Sequence, residues 1–143
     1  VIIFILIEMK FMTEKIGILA LGHGSRLPYN KDVVSGVADL IAETYENTVV
    51  RIGFMNMDNP TMDEGLNAFE GTGVTTIVAV PIFLAHGVHT TEDIPRILGI
   101  SRENRSTTIQ LNGNNVTLAY AEPLGADQLI ADLVYKRVME ALE

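Results

Sequence analysis

Val74-Thr75-Thr76-Ile77-Val78-Ala79-Val80-Pro81 is a short β-branched apolar run that stops at a proline, and Ile82-Phe83-Leu84-Ala85-His86-Gly87-Val88-His89-Thr90-Thr91-Glu92-Asp93-Ile94-Pro95 follows it directly. A run of that length and composition reads as a buried strand. The segment from about Thr91 to Leu98 then reads as a helix, because Pro95 is tolerated only in a first turn. Strand, loop and helix thus follow one another, and the loop between them holds two of the three histidines of the chain. The third, His23, lies in Gly22-His23-Gly24-Ser25-Arg26, directly after the apolar run from Lys15 to Leu21. Binding crevices of open α/β sheets form at the carboxyl ends of parallel strands. The two histidine loops are therefore expected to face each other across one site.

The same alternation extends outward. Asn30 is placed to cap a helix whose apolar positions Val34, Val37, Ala38, Ile41 and Tyr45 recur at helical spacing, with Asn47 ending it. Val49 to Met55 reads as a second strand, and Pro60 suits the first turn of a short helix that turns Met62, Leu66 and Phe69 inward. Gly71 and Gly73 close that helix. Val116 to Ala121 is a fourth core strand; Thr107 to Leu111 either pairs with it as a hairpin about Asn112-Gly113-Asn114-Asn115 or forms a loose loop. Ala126 to Leu142 has the strongest helical pattern, with Ile130, Leu133, Val134, Val138 and Ala141 on one stripe. The expected fold is a flavodoxin-like three-layer α/β structure, with a mainly parallel four-stranded sheet and helices on both faces.

Bulk properties narrow the functions. At 143 residues the chain suits one domain, and its 48% hydrophobic and 20% charged residues are ordinary for a globular protein. A net charge of -8 without clustered Lys or Arg argues against nucleic-acid binding. With no cysteine, disulfides and thiolate metal sites are excluded, which fits a cytoplasmic protein. Val1 to Ile7 is apolar, but seven residues fall well short of the roughly 20 that span a bilayer, so no membrane role is expected. Residues 1–11 read as an extension, with an edge strand or oligomer contact as the alternative, and the domain as residues 12–143 starting at Met12.

The loops lack the third glycine of a dinucleotide fingerprint, a phosphate-binding Lys-Ser or Lys-Thr, and a Gly-x-Ser-x-Gly elbow. Ser25 reads as a turn hydrogen-bonder. What remains is imidazole chemistry: a neutral histidine ligates divalent transition metals and acts as a base near neutral pH. The glycines flanking His23 are expected to leave room for a flat ligand. His86 and His89 are three apart, but Gly87 between them favours a loop over a shared helical face. Metal ligation and plain hydrogen bonding both remain open on spacing alone.

Gly22-His23-Gly24-Ser25-Arg26-Leu27-Pro28 and the stretch from Pro81 to Pro95 resemble the two signatures of small class II tetrapyrrole metal chelatases. Gly53-Phe54-Met55 with Asn59-Pro60-Thr61, and Glu122-Pro123-Leu124-Gly125-Ala126-Asp127, fit the same pattern, so the resemblance runs from Met12 to Glu143. Within that class the chain resembles the archaeal-type sirohydrochlorin cobalt and nickel chelatases, which serve cobalamin and nickel-tetrapyrrole coenzyme synthesis. The resemblance implies that His23 is a metal ligand and the base for the pyrrole protons, with His89 as second ligand. It implies that Leu84, Ala85, His86, Gly87, Val88 and His89 line the tetrapyrrole, and that Asn59 is a polar substrate contact where many relatives have an acid. His86 ranks as a pocket residue. The cobalt or nickel ion is substrate and no tightly bound cofactor is implied; a homodimer is implied, since the small forms resemble half of the double-length chelatases. Ser101 to Asn115 lacks the histidines of the metal-delivery loop found in some nickel-associated relatives. Arg26, Arg96 and the amino ends of the first and third helices would offset the substrate's carboxylates. The rival readings are a non-catalytic metal-binding or metallochaperone domain and a small-molecule-binding module whose histidines only hydrogen-bond.

Overall fold

The computed structural model describes residues 1–11, 14–101 and 103–143. Eleven elements follow in order: α1 (Ile2–Phe11), β1 (Ile16–Gly22), α2 (Tyr29–Thr44), β2 (Thr48–Phe54), α3 (Met62–Asn67), β3 (Thr76–Pro81), a π-helical turn (His89–Asp93), α4 (Ile94–Leu98), β4 (Ser106–Leu111), β5 (Asn114–Tyr120) and α5 (Gln128–Ala141). They build the expected α/β layers around a mainly parallel sheet of order β2-β1-β3-β5-β4. The sheet has five strands rather than four. The fifth is β4, which runs antiparallel to β5 with Ser106 opposite Ala119 and Leu111 opposite Asn114. The hairpin alternative is thus the one that forms, because Asn112 and Gly113 both adopt positive φ, which a tight two-residue turn requires.

β1 pairs in parallel with β2 on one side and β3 on the other, and β3 with β5. All four parallel strands therefore present their carboxyl ends on one edge. Connections leave β1 in opposite directions there, so the exits of β1 and β3 flank the switch point where α/β sheets bind ligands. Backbone hydrogen bonds carry the pairing beyond the strands. Met55 donates to the Gly22 carbonyl (3.1 Å), Ile82 to Leu21 (2.9 Å), Leu124 to Phe83 (2.9 Å) and Gly125 to Leu84 (2.7 Å).

Two apolar clusters hold the layers. Leu19, Leu21, Ile77, Ala79, Val116 and Leu118 meet Met62, Phe69, Ile94 and Leu98 of the α3 and α4 side. On the other face Ala20 and Phe54 meet Val34 and Ala38 of α2. Each fully buried large side chain contributes about 1.5–3 kcal/mol. Thr61 caps α3 in a reciprocal capping box with Glu64, so Pro60 stands just before the helix rather than within it.

Three local expectations are corrected. α2 begins at Tyr29 after Pro28 without a side-chain cap, and ends at Thr44 instead of Asn47. Asn30 is drawn the other way, its Oδ1 accepting from the Gly24 amide at 3.0 Å. The α5 stripe buries nothing: Leu133, Val134 and Val138 are 45%, 58% and 48% exposed. Residues 2–11 form a helix, so the edge-strand alternative does not arise, and its described side chains lie exposed. The expected domain start, Met12, lies outside the described residues. No helix among the described residues is long and apolar enough to cross a membrane.

Candidate metal and tetrapyrrole site

His23 leaves the end of β1 and His89 opens the π-helical turn after β3. Their ring centroids are 4.6 Å apart with the planes at 69°. Phe83 backs His23 at 6.3 Å. Both histidines line one cavity of about 230 Å³ together with Phe83, Ala85, His86, Gly87 and Thr90. The two histidine loops do face each other.

The tautomers follow from the partners. His23 Nδ1 lies 3.0 Å from the Gly24 carbonyl, and His89 Nδ1 lies 2.9 Å from Asp93 Oδ2. A carbonyl and a carboxylate can only accept, so each Nδ1 carries the proton and each Nε2 keeps its lone pair. Among the described residues neither Nε2 has a hydrogen-bond partner. Asp93 is itself held by Arg96 Nη2 at 3.0 Å. Outer hydrogen bonds of this kind orient metal-binding histidines and raise their basicity.

His86 lines the same cavity, but both of its nitrogens are engaged. Nδ1 stands 3.1 Å from Thr90 Oγ1, and Nε2 contacts Glu122 Oε2. Glu122 Oε1 in turn takes Arg105 Nη1 at 3.0 Å. The hydrogen bond from His86, helped by the Arg105 guanidinium and opposed in part by desolvation, holds the Glu122 carboxyl below its ordinary range.

The glycines divide. Gly24 has φ +89, and a Cβ there would stand 1.8 Å from the Asn56 carbonyl oxygen; one on Gly22 would strike the Phe54 ring at 2.6 Å. The space beside them is filled by β2 and its exit, which corrects the expectation that it admits a ligand. Gly87 is the one that opens outward, with nothing within 4 Å of its would-be Cβ.

The remaining expected residues divide. Ala85 and Gly87 line the cavity, whereas Leu84 and Val88 stand outside it, 63% and 64% exposed. Asn59 is exposed in the loop between β2 and α3 and does not line the cavity. Arg96 is committed to Asp93, while Arg26 is exposed and makes no ion pair among the described residues. Among those residues no group of three or more His, Asp or Glu is arranged to hold an ion. The ligand offer is a pair of imidazoles. Asp93, Thr90, Arg105 and Glu122 carry no assigned role in the sequence reading. His89 and Asp93 at i and i+4 are a spacing that signals the first pair; nothing in sequence links His86 to a carboxylate 36 residues away.

The open, mainly parallel sheet thus sets the imidazoles of His23 and His89 side by side at its switch point. The sequence pattern of the CbiX family matches residues 17–141, and the chain belongs to that family. It is 61% identical over 131 residues to a sirohydrochlorin cobaltochelatase of Methanosarcina barkeri, covering 92% of this chain and all of that one. The corresponding protein of Methanocaldococcus jannaschii is 34% identical over 136 residues, covering 84% and 95%. Among solved structures, the putative cobalamin biosynthesis CbiX protein of Marinobacter aquaeolei superposes with a TM-score of 0.63 at 25% identity, covering 89% of this chain and 97% of that one. The cobalt complex of the sirohydrochlorin chelatase SirB from Bacillus subtilis gives 0.69 at 25% identity, over 88% of this chain but 50% of SirB.

Proposed function

We propose that this chain inserts a divalent metal, cobalt or nickel, into sirohydrochlorin, in the synthesis of cobalamin or a nickel tetrapyrrole coenzyme in the cytoplasm. The carrying observation is the pair His23 and His89, each with a free Nε2, beside one cavity in a chain 61% identical to a cobaltochelatase. With ring centroids 4.6 Å apart, the two imidazoles are close enough to share one ion. Two neutral nitrogen ligands, without thiolate or a carboxylate cage, hold an ion that must leave again.

The reaction exchanges two pyrrole N–H protons for one M²⁺. His23 and His89 hold the ion, the pyrrole nitrogens displace its remaining waters, and of the two protons His23 accepts one at its released Nε2 while solvent takes the other. The cavity is below the roughly 300–1,000 Å³ that encloses a drug-sized ligand, so the macrocycle lies across its mouth above Gly87, between Leu84 and Val88. Asn59 and Arg26 meet its edge. Mixing the protein with sirohydrochlorin and cobalt or nickel should speed the absorption change of insertion above the uncatalysed rate. A protein that binds the ion but does not speed insertion is the metallochaperone of the rival reading.

A homodimer belongs to this proposal. It is supported by the uncovered apolar stripe of α5 and by the chain matching half of SirB. The domain is taken to begin near Met12, with residues 1–11 an extension.

A further inference from the structure

Around His86 the side chains close into a ring. His86 Nε2 meets Glu122 Oε2, and Glu122 Oε1 meets Arg105 Nη1 at 3.0 Å. Arg105 Nε and Nη2 donate to the Tyr120 carbonyl at 3.3 and 3.1 Å, and the guanidinium lies 5.2 Å from the centre of the Tyr120 ring. The Tyr120 hydroxyl donates to the Thr90 carbonyl at 2.9 Å, and Thr90 Oγ1 returns to His86 Nδ1 at 3.1 Å. The ring joins the loop after β3, the segment before β4, and β5 with its exit. Thr90, at 1% exposure, is the buried polar residue of the described core. It precedes no spacer: His89 is its neighbour in the chain.

The hydrogen-bond inventory shows how firmly this holds. A carboxylate only accepts, so His86 Nε2 carries a proton and Nδ1 of the neutral ring accepts from the Thr90 hydroxyl. If His86 is doubly protonated, Nδ1 donates instead and the Thr90 hydroxyl turns to the Gly87 carbonyl, 3.1 Å away. The Gly87 amide donates to Thr90 Oγ1 at 2.8 Å in either case. Every group is satisfied in both states, so the loop keeps its shape whichever charge His86 carries. With both nitrogens bonded, His86 has no lone pair for an ion. Its contribution is to the geometry of its neighbours.

We propose that Glu122 is a positioning residue for the metal-binding pair: by anchoring His86, and through it Thr90, it fixes the turn that carries His89 relative to His23. This rests on the reading of His23 and His89 as ligands. Outer partners of metal-binding groups typically change affinity 10–100-fold when removed. Glu122 acts further out, through His86 and Thr90, and the expected loss is at the lower end of that range.

The test titrates Co²⁺ into the wild type, Glu122→Ala and Glu122→Gln, following the visible absorption of the bound ion, and measures KM separately for Co²⁺ and for sirohydrochlorin. Glu122→Ala should weaken Co²⁺ binding about 10-fold, shift the ligand-field bands, and raise KM for Co²⁺ while leaving KM for sirohydrochlorin within about twofold. Glu122→Gln, whose amide oxygen still accepts from His86 Nε2, should recover most of the affinity. Co²⁺ affinity and bands in Glu122→Ala matching the wild type overturn the proposal, as does an equal rise in both KM values. A wild type that binds Co²⁺ weakly and without imidazole-type bands overturns the ligand reading itself, and this inference with it.

Discussion

Asp93 Oδ2 receives the Nδ1 proton of His89 at 2.9 Å while its other oxygen is held by Arg96 at 3.0 Å. The carboxylate is therefore oriented from behind, and the ring it orients is the one opposite His23. Replacing Asp93 by Ala removes the acceptor and lets the ring rotate. Metal affinity should fall 10–100-fold on removal of such an outer partner, with Asp93→Asn falling less because its amide oxygen still accepts. Isothermal titration with Co²⁺ or Ni²⁺ measures this; equal affinities in wild type and Asp93→Ala would show that His89 needs no such support.

The three histidines should rank in a defined order. His23→Ala and His89→Ala should each lower kcat/KM by about 100-fold or more, the scale of losing a positioned acid–base or ligand group. His86→Ala, whose nitrogens face Thr90 and Glu122, should cost about tenfold through the loop it steadies. Circular dichroism should show the sheet intact in all three. Greater damage from His86→Ala than from His89→Ala would reverse the ligand assignment.

Two glycines near the site should respond in opposite ways. Gly24→Ala places a Cβ 1.8 Å from the Asn56 carbonyl oxygen at a positive φ, and should destabilise the fold by about 3 kcal/mol or more. Gly87→Ala meets nothing within 4 Å and should leave the unfolding midpoint in urea almost unchanged. If Gly87 underlies the macrocycle, the same variant should raise KM for sirohydrochlorin. Urea denaturation alongside kinetics separates the two effects.

Tyr120 supplies a marker at high pH. Burial, partly offset by the Arg105 guanidinium, pushes its phenol up from 10.0 to about 12. A folded pKa above the unfolded one means that the stabilising contribution is complete below about pH 10 and disappears as pH rises through about 12. The difference in phenolate absorbance between wild type and Tyr120→Phe should show a late titration there. A midpoint near 10 would mean that the ring is open to water.

The uncovered face of α5 makes the last prediction. Leu133→Glu and Val138→Glu should convert a dimer to a monomer in sedimentation velocity without loss of helix content, since neither side chain is buried within the chain. A wild type that sediments as a monomer at micromolar concentration sinks the dimer.

Periodicity found the alternation of strand and helix because burying a parallel sheet demands continuous apolar runs, as in Ile16–Gly22 and Thr76–Pro81. The two histidine loops it singled out come together because strand order places the ends of β1 and β3 side by side. It could not tell what covers an apolar stripe: the α5 pattern implies a buried face, and within one chain none is buried. Glycine likewise signals a missing side chain without saying whether a ligand or the protein fills the gap. At Gly24 it is Asn56, and Asn30, which reads as a helix cap, instead binds the Gly24 amide. The partnership of His86 and Glu122 depends on β3 and β5 being neighbours in the sheet, which local pattern does not specify.

The capping of both Nδ1 atoms, on Gly24 and on Asp93, has a kinetic consequence. A free imidazole samples two tautomers and two ring flips, and only some of these present a lone pair to an arriving ion. In the proposed ligand pair the protein makes that selection while it folds, so capture would require only the loss of water from the ion. Release is equally simple, because nothing in the pair has to refold or reprotonate at Nδ1 when the ion departs. The two rings behave as a fixed landing stage, ready for the next ion once His23 Nε2 has passed its proton to solvent.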